Sequence, residues 1–455
     1  MKKINYIILA IAMFNIFSCR KYVEIPPEQT KALSTTVDYM QLMNNSFSNE
    51  QSYYYPVFSG DDCGTTETTW QNTLTVPAGN AYIWADRFYG ANEEDLDWQT
   101  NYKKIFIWNT VIEGIMGSSG AEADKQLGLS YALVNRAYDY FTLVNLYGKQ
   151  YDGATAATDP AVPLILQPKF LTDLSRASVQ NVYDQIENDL LAAIPNLKDL
   201  PDYNTNPSKV GAYGLLARVY LHKRDFIQAQ RYADLALALK NTLLDLNVFK
   251  VPTATFPTKT FNPEELMVKR TIQYPSGFPL SADAESIYDK SKDLRYTYLT
   301  APGANVRFSN FTVARAYNKS VLTGDGGYVG PSVPEMILIK AECQARAGNT
   351  AATLTLLNDF RKKRFDNATT YVNLTAANAN EALRLVIDER KREFVGRGFR
   401  WFDQRRLNKD SGFISTVTRV FKGNTYTLEP GGNRYVYAIA DKYITLNPEI
   451  TQNPR

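Results

Sequence analysis

The most informative segment for the fold is YGLLARVYLHKRDFIQAQRYADLA, from Tyr213 to Ala236. Apolar and small residues recur in it every three or four positions, which is the spacing of one face of an α-helix. Arg224 and Asp225 interrupt the pattern near its middle, and alanines stand on both sides of them. Small residues are needed where two helices cross closely. The stretch therefore predicts two antiparallel helices joined by a short turn.

The offsets within this stretch match the 34-residue helical hairpin repeat called TPR. That repeat needs an aromatic residue, a leucine-small pair, a second aromatic residue and two alanines, supplied here by Tyr213, Leu216-Ala217, Tyr220, Ala229 and Ala236. A weaker copy lies 124 residues later, with Ala341, Gly348-Asn349 and Leu357 at the corresponding positions. A generic antiparallel helix pair is the alternative interpretation.

Helical periodicity recurs on both sides of this hairpin and is absent from two long segments. It predicts helices at about 102–116, 127–147, 179–194 and 381–395. The segments 44–91 and 245–333 are instead rich in turn-forming residues and tyrosine, and long irregular segments are often functional. We expect a mostly α-helical fold: a TPR-like helical hairpin scaffold, at about 100–245 and 333–408, with long loop-rich excursions at about 44–91 and 245–333.

The first residues have the anatomy of an export signal. Lys2 and Lys3 precede a nearly continuous apolar run at 6–17, and Ser18 and Cys19 follow it. The sequence at 16–19 resembles the lipobox of bacterial lipoproteins, in which the cysteine is acylated and becomes the first mature residue. We expect residues 1–18 to be removed, Cys19 to carry the lipid anchor, and residues 19–455 to form a single domain. A plain secretory signal with a chance cysteine is the alternative.

Several classes of function are excluded or disfavoured by composition. His222 is the only histidine, which excludes histidine-dependent triads and multi-histidine metal sites. We expect this histidine to face solvent or cap its helix. Loss of Lys2 and Lys3 lowers the formal net charge from +3 to +1, so nothing suggests a nucleic-acid partner. The basic run at 390–392 lies between Glu389 and Glu393, which favours a solvated, salt-bridged helix face. No cofactor and no metal are expected.

The order of several motifs resembles the SusD/RagB family of outer-membrane lipoproteins over nearly the whole chain. They are YVEIPP at 22–27, NRAYDYF at 135–141, the TPR unit, ERKREF at 389–394, GFRWFD at 398–403 and the closing Asn447-Pro448. The chain departs from the family pattern at Ala440, where a proline is common, and at Arg20 and Lys21, where surface-exported relatives often have acidic residues.

The resemblance implies capture of an oligosaccharide at the cell surface and its delivery to a SusC-like, TonB-dependent transporter. It also leaves open a RagB-like protein that binds peptides. Two further hypotheses remain: a TPR scaffold that binds only protein, and a hydrolase, which would need two carboxylates converging in one cleft. We expect a binding protein and not an enzyme.

We predict the ligand site in the first excursion, because its aromatic residues do not follow a helical stripe. Sugar rings stack on aromatic faces while carboxylates bind their hydroxyls. The predicted site residues are Tyr53, Tyr54, Tyr55, Asp61, Trp70, Tyr82 and Trp84. The alternative is that these rings pack the excursion onto the scaffold. Trp98, Trp108 and Trp401 lie in helical or signature contexts and are assigned to the core.

Overall fold

A computed structural model describes residues 33–169, 173–251, 253–273, 278–306, 309–318 and 327–455. Its α-helices are α1 Thr36–Leu42, α2 Ser46–Asn49, α3 Pro56–Ser59, α4 Thr68–Gln71, α5 Val76–Tyr82, α6 Leu96–Gly114, α7 Glu122–Tyr147, α8 Val179–Ala193, α9 Lys209–Lys223, α10 Phe226–Leu239, α11 Ala282–Ser286, α12 Leu294–Tyr298, α13 Val333–Arg346, α14 Thr350–Lys362, α15 Ala379–Glu393, α16 Phe399–Leu407 and α17 Asp441–Leu446. The prediction of a mostly helical fold is confirmed.

The hairpin predicted from Tyr213 to Ala236 is formed by α9 and α10. Ser208 caps α9 by accepting a hydrogen bond from the Gly211 N–H, and Asp225 caps α10 in the same way. Between the two helices, Arg224 adopts a left-handed conformation with φ 64°. The buried alanines let the helices approach closely, and the rings of Tyr220 and Tyr232 stack 5.5 Å apart. The second hairpin consists of α13 and α14, and Gly348 supplies the positive φ at its turn.

The centre of the scaffold is α7, which is buried from Ser130 to Tyr147 except for the half-buried Leu133. It packs between α6 and α8. Two buried ion pairs fix its rotation: Arg136 binds Asp189 of α8 through Nε and Nη2, and Asp139 accepts hydrogen bonds from Lys104 and Trp108 of α6. These charges pair inside the core because an unpaired buried charge would be costly.

Short antiparallel strands cross the regions between the helices. They are β1 Pro160–Pro163, β2 Arg176–Ser178, β3 Phe278–Pro279, β4 Thr300–Pro302, β5 Arg315–Tyr317, β6 Val417–Phe421 and β7 Asn424–Leu428. β1 pairs with β2, β5 lies between β3 and β4, and β6 and β7 form a hairpin. The turn of that hairpin, Lys422-Gly423, has φ values of 48° and 82°, as two-residue hairpin turns require.

Membrane-spanning segments were searched for among the described residues. Every helix there is too short or too polar to cross a bilayer. The predicted signal segment and Cys19 lie outside the described residues.

Candidate functional site

Five of the seven predicted site residues are buried in the core. The side chains of Tyr53, Tyr55, Trp70, Tyr82 and Trp84 are at most 4% exposed. A ring that is covered on both faces cannot stack on a sugar, so the prediction of an exposed platform formed by these residues is wrong. Their packing is instead the alternative stated above, in which the rings attach the excursion to the scaffold.

The covering elements come from the far end of the chain. Arg419 of β6 inserts its guanidinium over the rings of Tyr82 and Trp84, 4.1 Å and 4.4 Å from their centroids. It donates hydrogen bonds to the carbonyl oxygens of Phe58, Tyr82, Gly60 and Cys63. Because this arginine satisfies four backbone carbonyls at once, it ties the β6–β7 hairpin to the excursion.

The three consecutive tyrosines also serve the scaffold. Asp97, at the start of α6, accepts hydrogen bonds from the backbone N–H groups of Tyr54 and Tyr55. The hydroxyl of Tyr53 donates to the carbonyl of Arg397 at 2.9 Å. Tyr54 is the only one of the three that keeps intermediate exposure, and it packs edge-on against its neighbour Tyr55 at 5.3 Å.

Asp61 is held by an arginine of the C-terminal signature. Arg400 binds it through Nε and Nη2 at 2.7 Å and 2.8 Å. Burial by itself raises the pKa of Asp61, but Arg400 and Lys391 outweigh burial and lower that pKa to about 2. For the adjacent Asp62, burial and the Asp61 charge raise the pKa to about 6. Asp61 therefore closes an internal ion pair instead of facing a ligand.

The remaining signature residues form a buried charge network. Glu389 binds Arg295 and Arg361, while Asp403 binds Arg390 and Arg406. All six of these side chains are at most 11% exposed. The expectation of a solvated face for the run at 390–392 is therefore wrong for Arg390 and its neighbouring glutamates. Basic and acidic residues occur together in this signature because each buried guanidinium needs a carboxylate as its partner.

His222 is also buried, at 4% exposure, contrary to the expected solvent-facing or capping position. Its Nδ1 lies 3.1 Å from Asn145 Oδ1, and its ring packs edge-on against Phe141. Burial lowers its pKa well below the ordinary value, so the ring is neutral at physiological pH. Trp98, Trp108 and Trp401 are buried, as predicted, and Cys343 is buried as well.

An open cleft lined by aromatic rings lies beside α6, and we call it the aromatic cleft. Its volume is about 180 Å³, and its rings are Trp98, Tyr102, Phe106 and Tyr443. Trp98 stacks on Tyr443 at 5.7 Å with an interplanar angle of 22° and contacts Tyr102 at 4.9 Å. The ring of Phe106 is 39% exposed. Polar side chains at the edge are Gln167, Lys169 and Asn447.

A second open cleft, the polar cleft, has a volume of about 410 Å³. Charged and amide side chains line it, together with Tyr435, Val436 and the turn at Gly431-Gly432. The C-terminal segment 447–454 contributes to both clefts, Asn447 and Ile450 to the aromatic cleft and Asn453 and Pro454 to the polar one.

The aromatic cleft was missed by the sequence-based prediction, although one signal for it exists. Trp98, Tyr102 and Phe106 are spaced four residues apart, so they form a single aromatic stripe along α6. A stripe of this kind usually indicates a core face. Only the structure shows that its outer end lines a cleft, where Phe106 is 39% exposed.

The sequence matches two related family models. One, described as SusD-like and as starch-binding associating with outer membrane, matches residues 23–221. The other describes the SusD family and matches residues 333–455. Among curated proteins, SusD-like protein P38 of Formosa agariphila is 20% identical, and the alignment covers 98% of this chain and 97% of that protein.

Solved structures with the same fold include a putative sugar binding protein from Bacteroides vulgatus. It is 21% identical, with a TM-score of 0.72 over 93% of this chain and 99% of that chain. A SusD superfamily protein from Bacteroides thetaiotaomicron is 20% identical, with a TM-score of 0.72 over 92% and 100% of the two chains. A laminarin binding SusD-like protein is 17% identical, with a TM-score of 0.67 over 92% and 99%.

Proposed function

The chain belongs to the SusD family, and we propose that it is an outer-membrane lipoprotein that captures an oligosaccharide at the cell surface. It passes this ligand to a SusC-like, TonB-dependent transporter. One of the two family descriptions names starch binding and association with the outer membrane, and a protein of the same fold is described as laminarin binding. We propose that this chain, too, binds its ligand without chemical change.

The aromatic cleft is the observation that carries the proposal. Three of its rings come from one helix and the fourth from α17, so their positions are fixed by rigid elements. The hydroxyl of Tyr102 donates to the carbonyl of Pro163 at 2.7 Å, and Tyr443 is positioned by the backbone of Asp95. Preorganised rings reduce the entropy lost on binding, and amides at the edge suit sugar hydroxyls.

Anchoring through Cys19 fits this function. Acyl chains on a terminal cysteine bind a membrane with about 0.8 kcal/mol per buried methylene, so several chains hold the protein permanently. The first described residue of the folded part is Leu33. Thirteen residues, 20–32, lie in the sequence between Cys19 and Leu33.

The test is affinity electrophoresis of the full-length protein in detergent against a panel of neutral polysaccharides, with peptides as competitors. Phe106→Ala and Tyr443→Ala should each weaken binding by about fivefold or more, since one ring contact contributes about 1 kcal/mol. Phe261→Ala is the matched control, because it removes a ring that is 67% exposed on another surface. Retardation that only the cleft variants reduce supports the proposal.

Two results would contradict it. If no glycan retards the protein and a peptide mixture binds instead, the ligand class is peptide. If a glycan binds equally to both cleft variants and to the Phe261→Ala control, the aromatic cleft is not the binding site. Melting temperatures of all three variants identify any loss that is due to unfolding.

A further inference from the structure

The polar cleft contains one positive charge without a counter-charge. Two of its cations have carboxylate partners: Lys149 lies 2.7 Å from Asp159, and Lys409 lies 2.5 Å from Asp152. The third cation, Arg405, has no carboxylate within 4 Å in the part of the chain that the structure describes. The charged groups lining the cleft therefore sum to one excess positive charge.

Arg405 is also poorly satisfied as a hydrogen-bond donor. It is 2% exposed, and Nη2 donates to the carbonyl of Gly148 at 2.6 Å. Its Nε and Nη1 have no partner among the described residues. On the same helix, Arg400 binds Asp61 and Arg406 binds both Glu342 and Asp403. Arg405 thus departs from the pattern of its own helix, and buried unpaired donors call for an explanation.

The guanidinium remains charged at physiological pH. Burial lowers the pKa of Arg405 to about 10, which is still well above neutrality. The two unpaired nitrogens have less than 1 Å² of exposed surface. An anion in the cleft therefore acts on Arg405 mainly through its electric field, which is weakly screened because the floor of the cleft is poorly solvated.

We propose that the polar cleft binds a sugar residue carrying one oxyanion, either a carboxylate or a sulfate ester, as the counter-charge that Arg405 lacks. The proposal rests on the proposed oligosaccharide function and specifies its ligand as an acidic oligosaccharide. A single excess charge matches a singly charged group. The side chains of Asn408, Gln150 and Thr155 supply donors and acceptors for ring hydroxyls.

The lining also disfavours a peptide. Tyr435, Val436 and Pro454 are its main apolar residues, so the apolar side chains of a bound peptide would find few partners there. The polar cleft is roughly twice as large as the aromatic cleft. Different residues of the segment 447–454 line the two clefts, Asn447 and Ile450 the aromatic cleft and Asn453 and Pro454 the polar cleft.

The test compares matched pairs of oligosaccharides by titration calorimetry with the full-length protein in detergent. The pairs are galacturonate, glucuronate and mannuronate oligomers with their methyl esters, and a sulfated galactan oligomer with its desulfated form. At least one charged member should bind about tenfold or more tightly than its neutral partner, as expected for a charge-assisted interaction. The pair that shows this preference distinguishes carboxylate from sulfate ester.

Variants then assign the preference to Arg405. Arg405→Met should bring the charged and neutral affinities close together, whereas Arg405→Lys should keep most of the difference. Arg405→Met is expected to fold, because removing this charge leaves no buried carboxylate without its partner. If the melting temperature of Arg405→Met falls sharply, the preference for the charged ligand is measured instead with Lys409→Glu, which reverses a charge at the cleft. Lys198→Glu is the control. Lys198 makes an exposed surface pair with Asp202 and is not part of the cleft.

The outcomes separate the two proposals. Equal affinity for the charged and neutral members of every pair, or equal effects of Lys409→Glu and Lys198→Glu, overturns the acidic-ligand proposal. If neutral glycans still bind, the proposed function survives that result. If no glycan of either kind binds, both proposals fail together.

Discussion

Two groups of aromatic rings in this protein have similar composition and opposite surroundings. In the first excursion, 44–91, Tyr82 and Trp84 lie under Arg419 of the β6–β7 hairpin, Trp70 packs edge-on against Tyr82, and all three rings lie in the core. In the aromatic cleft, the stripe along α6 begins with the buried Trp98 and ends at Phe106, which is 39% exposed. The density of aromatic residues in a segment therefore locates a cluster of rings, but the exposure of those rings depends on which distant parts of the chain pack over them.

The largest effect that separates the two groups is expected from Trp84→Ala. The side chain is fully buried, donates from Nε1 to the carbonyl of Ser59 at 2.9 Å, and packs under Arg419. Its removal should lower the free energy of unfolding by about 4 kcal/mol, the usual cost of emptying a large buried site. Urea unfolding measures this loss, and the glycan affinity of the folded protein should stay unchanged.

Phe106→Ala is the matched variant in the open group. It should reduce glycan affinity while changing the unfolding free energy by less than about 1 kcal/mol, because its ring is partly exposed. If Trp84→Ala abolished glycan binding in a protein that melts like the wild type, the division into a structural and a ligand-binding group would be wrong.

A smaller effect on stability, about 3 kcal/mol, is expected from Asp61→Asn, since it leaves Arg400 without its carboxylate. The pKa of Asp61 in the folded protein is about 2, below its ordinary value of 3.8. A lowered pKa stabilises the fold above pH 4, and this contribution disappears as the pH falls toward 2. The difference between wild type and variant should therefore be large at pH 7 and small near pH 2.5.

Unfolding by urea at both pH values checks the expectation for Asp61. A difference that is the same at both would show that the carboxylate charge is not responsible. Unchanged stability with a lost glycan affinity would return Asp61 to the ligand site in which the sequence-based analysis placed it.

Most of the helical scaffold could be predicted from the sequence because its signals are local. The periodic residues of α7 and the TPR offsets in α9 and α10 determine which helix faces are buried, and the structure confirms both. α6 begins at Leu96, six residues before the predicted start, because Asp95 caps it by accepting hydrogen bonds from the Asp97 and Trp98 N–H groups. That cap precedes the apolar pattern and was overlooked.

The exposure of the predicted site residues could not be derived in the same way. Trp84 is covered by Arg419, which is 335 positions away in sequence, and Asp61 is paired with Arg400, which is 339 positions away. Such pairings depend on the complete tertiary structure, and the local spacing of residues does not predict them. The lack of a carboxylate partner for Arg405 could not be predicted locally either. Arg405 lies in the same basic segment as Arg400 and Arg406, which both have carboxylate partners.

A stability effect of the opposite sign tests how firmly the excursion is held. Asp62 is fully buried, accepts a hydrogen bond from the Gly396 N–H on Oδ2, and leaves Oδ1 without a partner among the described residues. Its pKa in the folded protein is about 6, above the ordinary 3.8, so the wild type loses stability as the pH rises from 4 through 6. Asp62→Asn keeps an acceptor for Gly396 and carries no charge.

This variant should therefore be more stable than the wild type by about 2 kcal/mol at pH 8 and nearly equal to it at pH 4. Urea unfolding across that range measures the difference, with Asp61→Asn as the neighbouring control that destabilises at neutral pH. A gain at pH 8 would mean that the excursion tolerates a charge that opposes its own burial, because the surrounding rings and Arg419 fix it independently. A loss that is present at pH 8 and absent at pH 4 would instead show that the Asp62 charge helps to hold the excursion against α15 and α16.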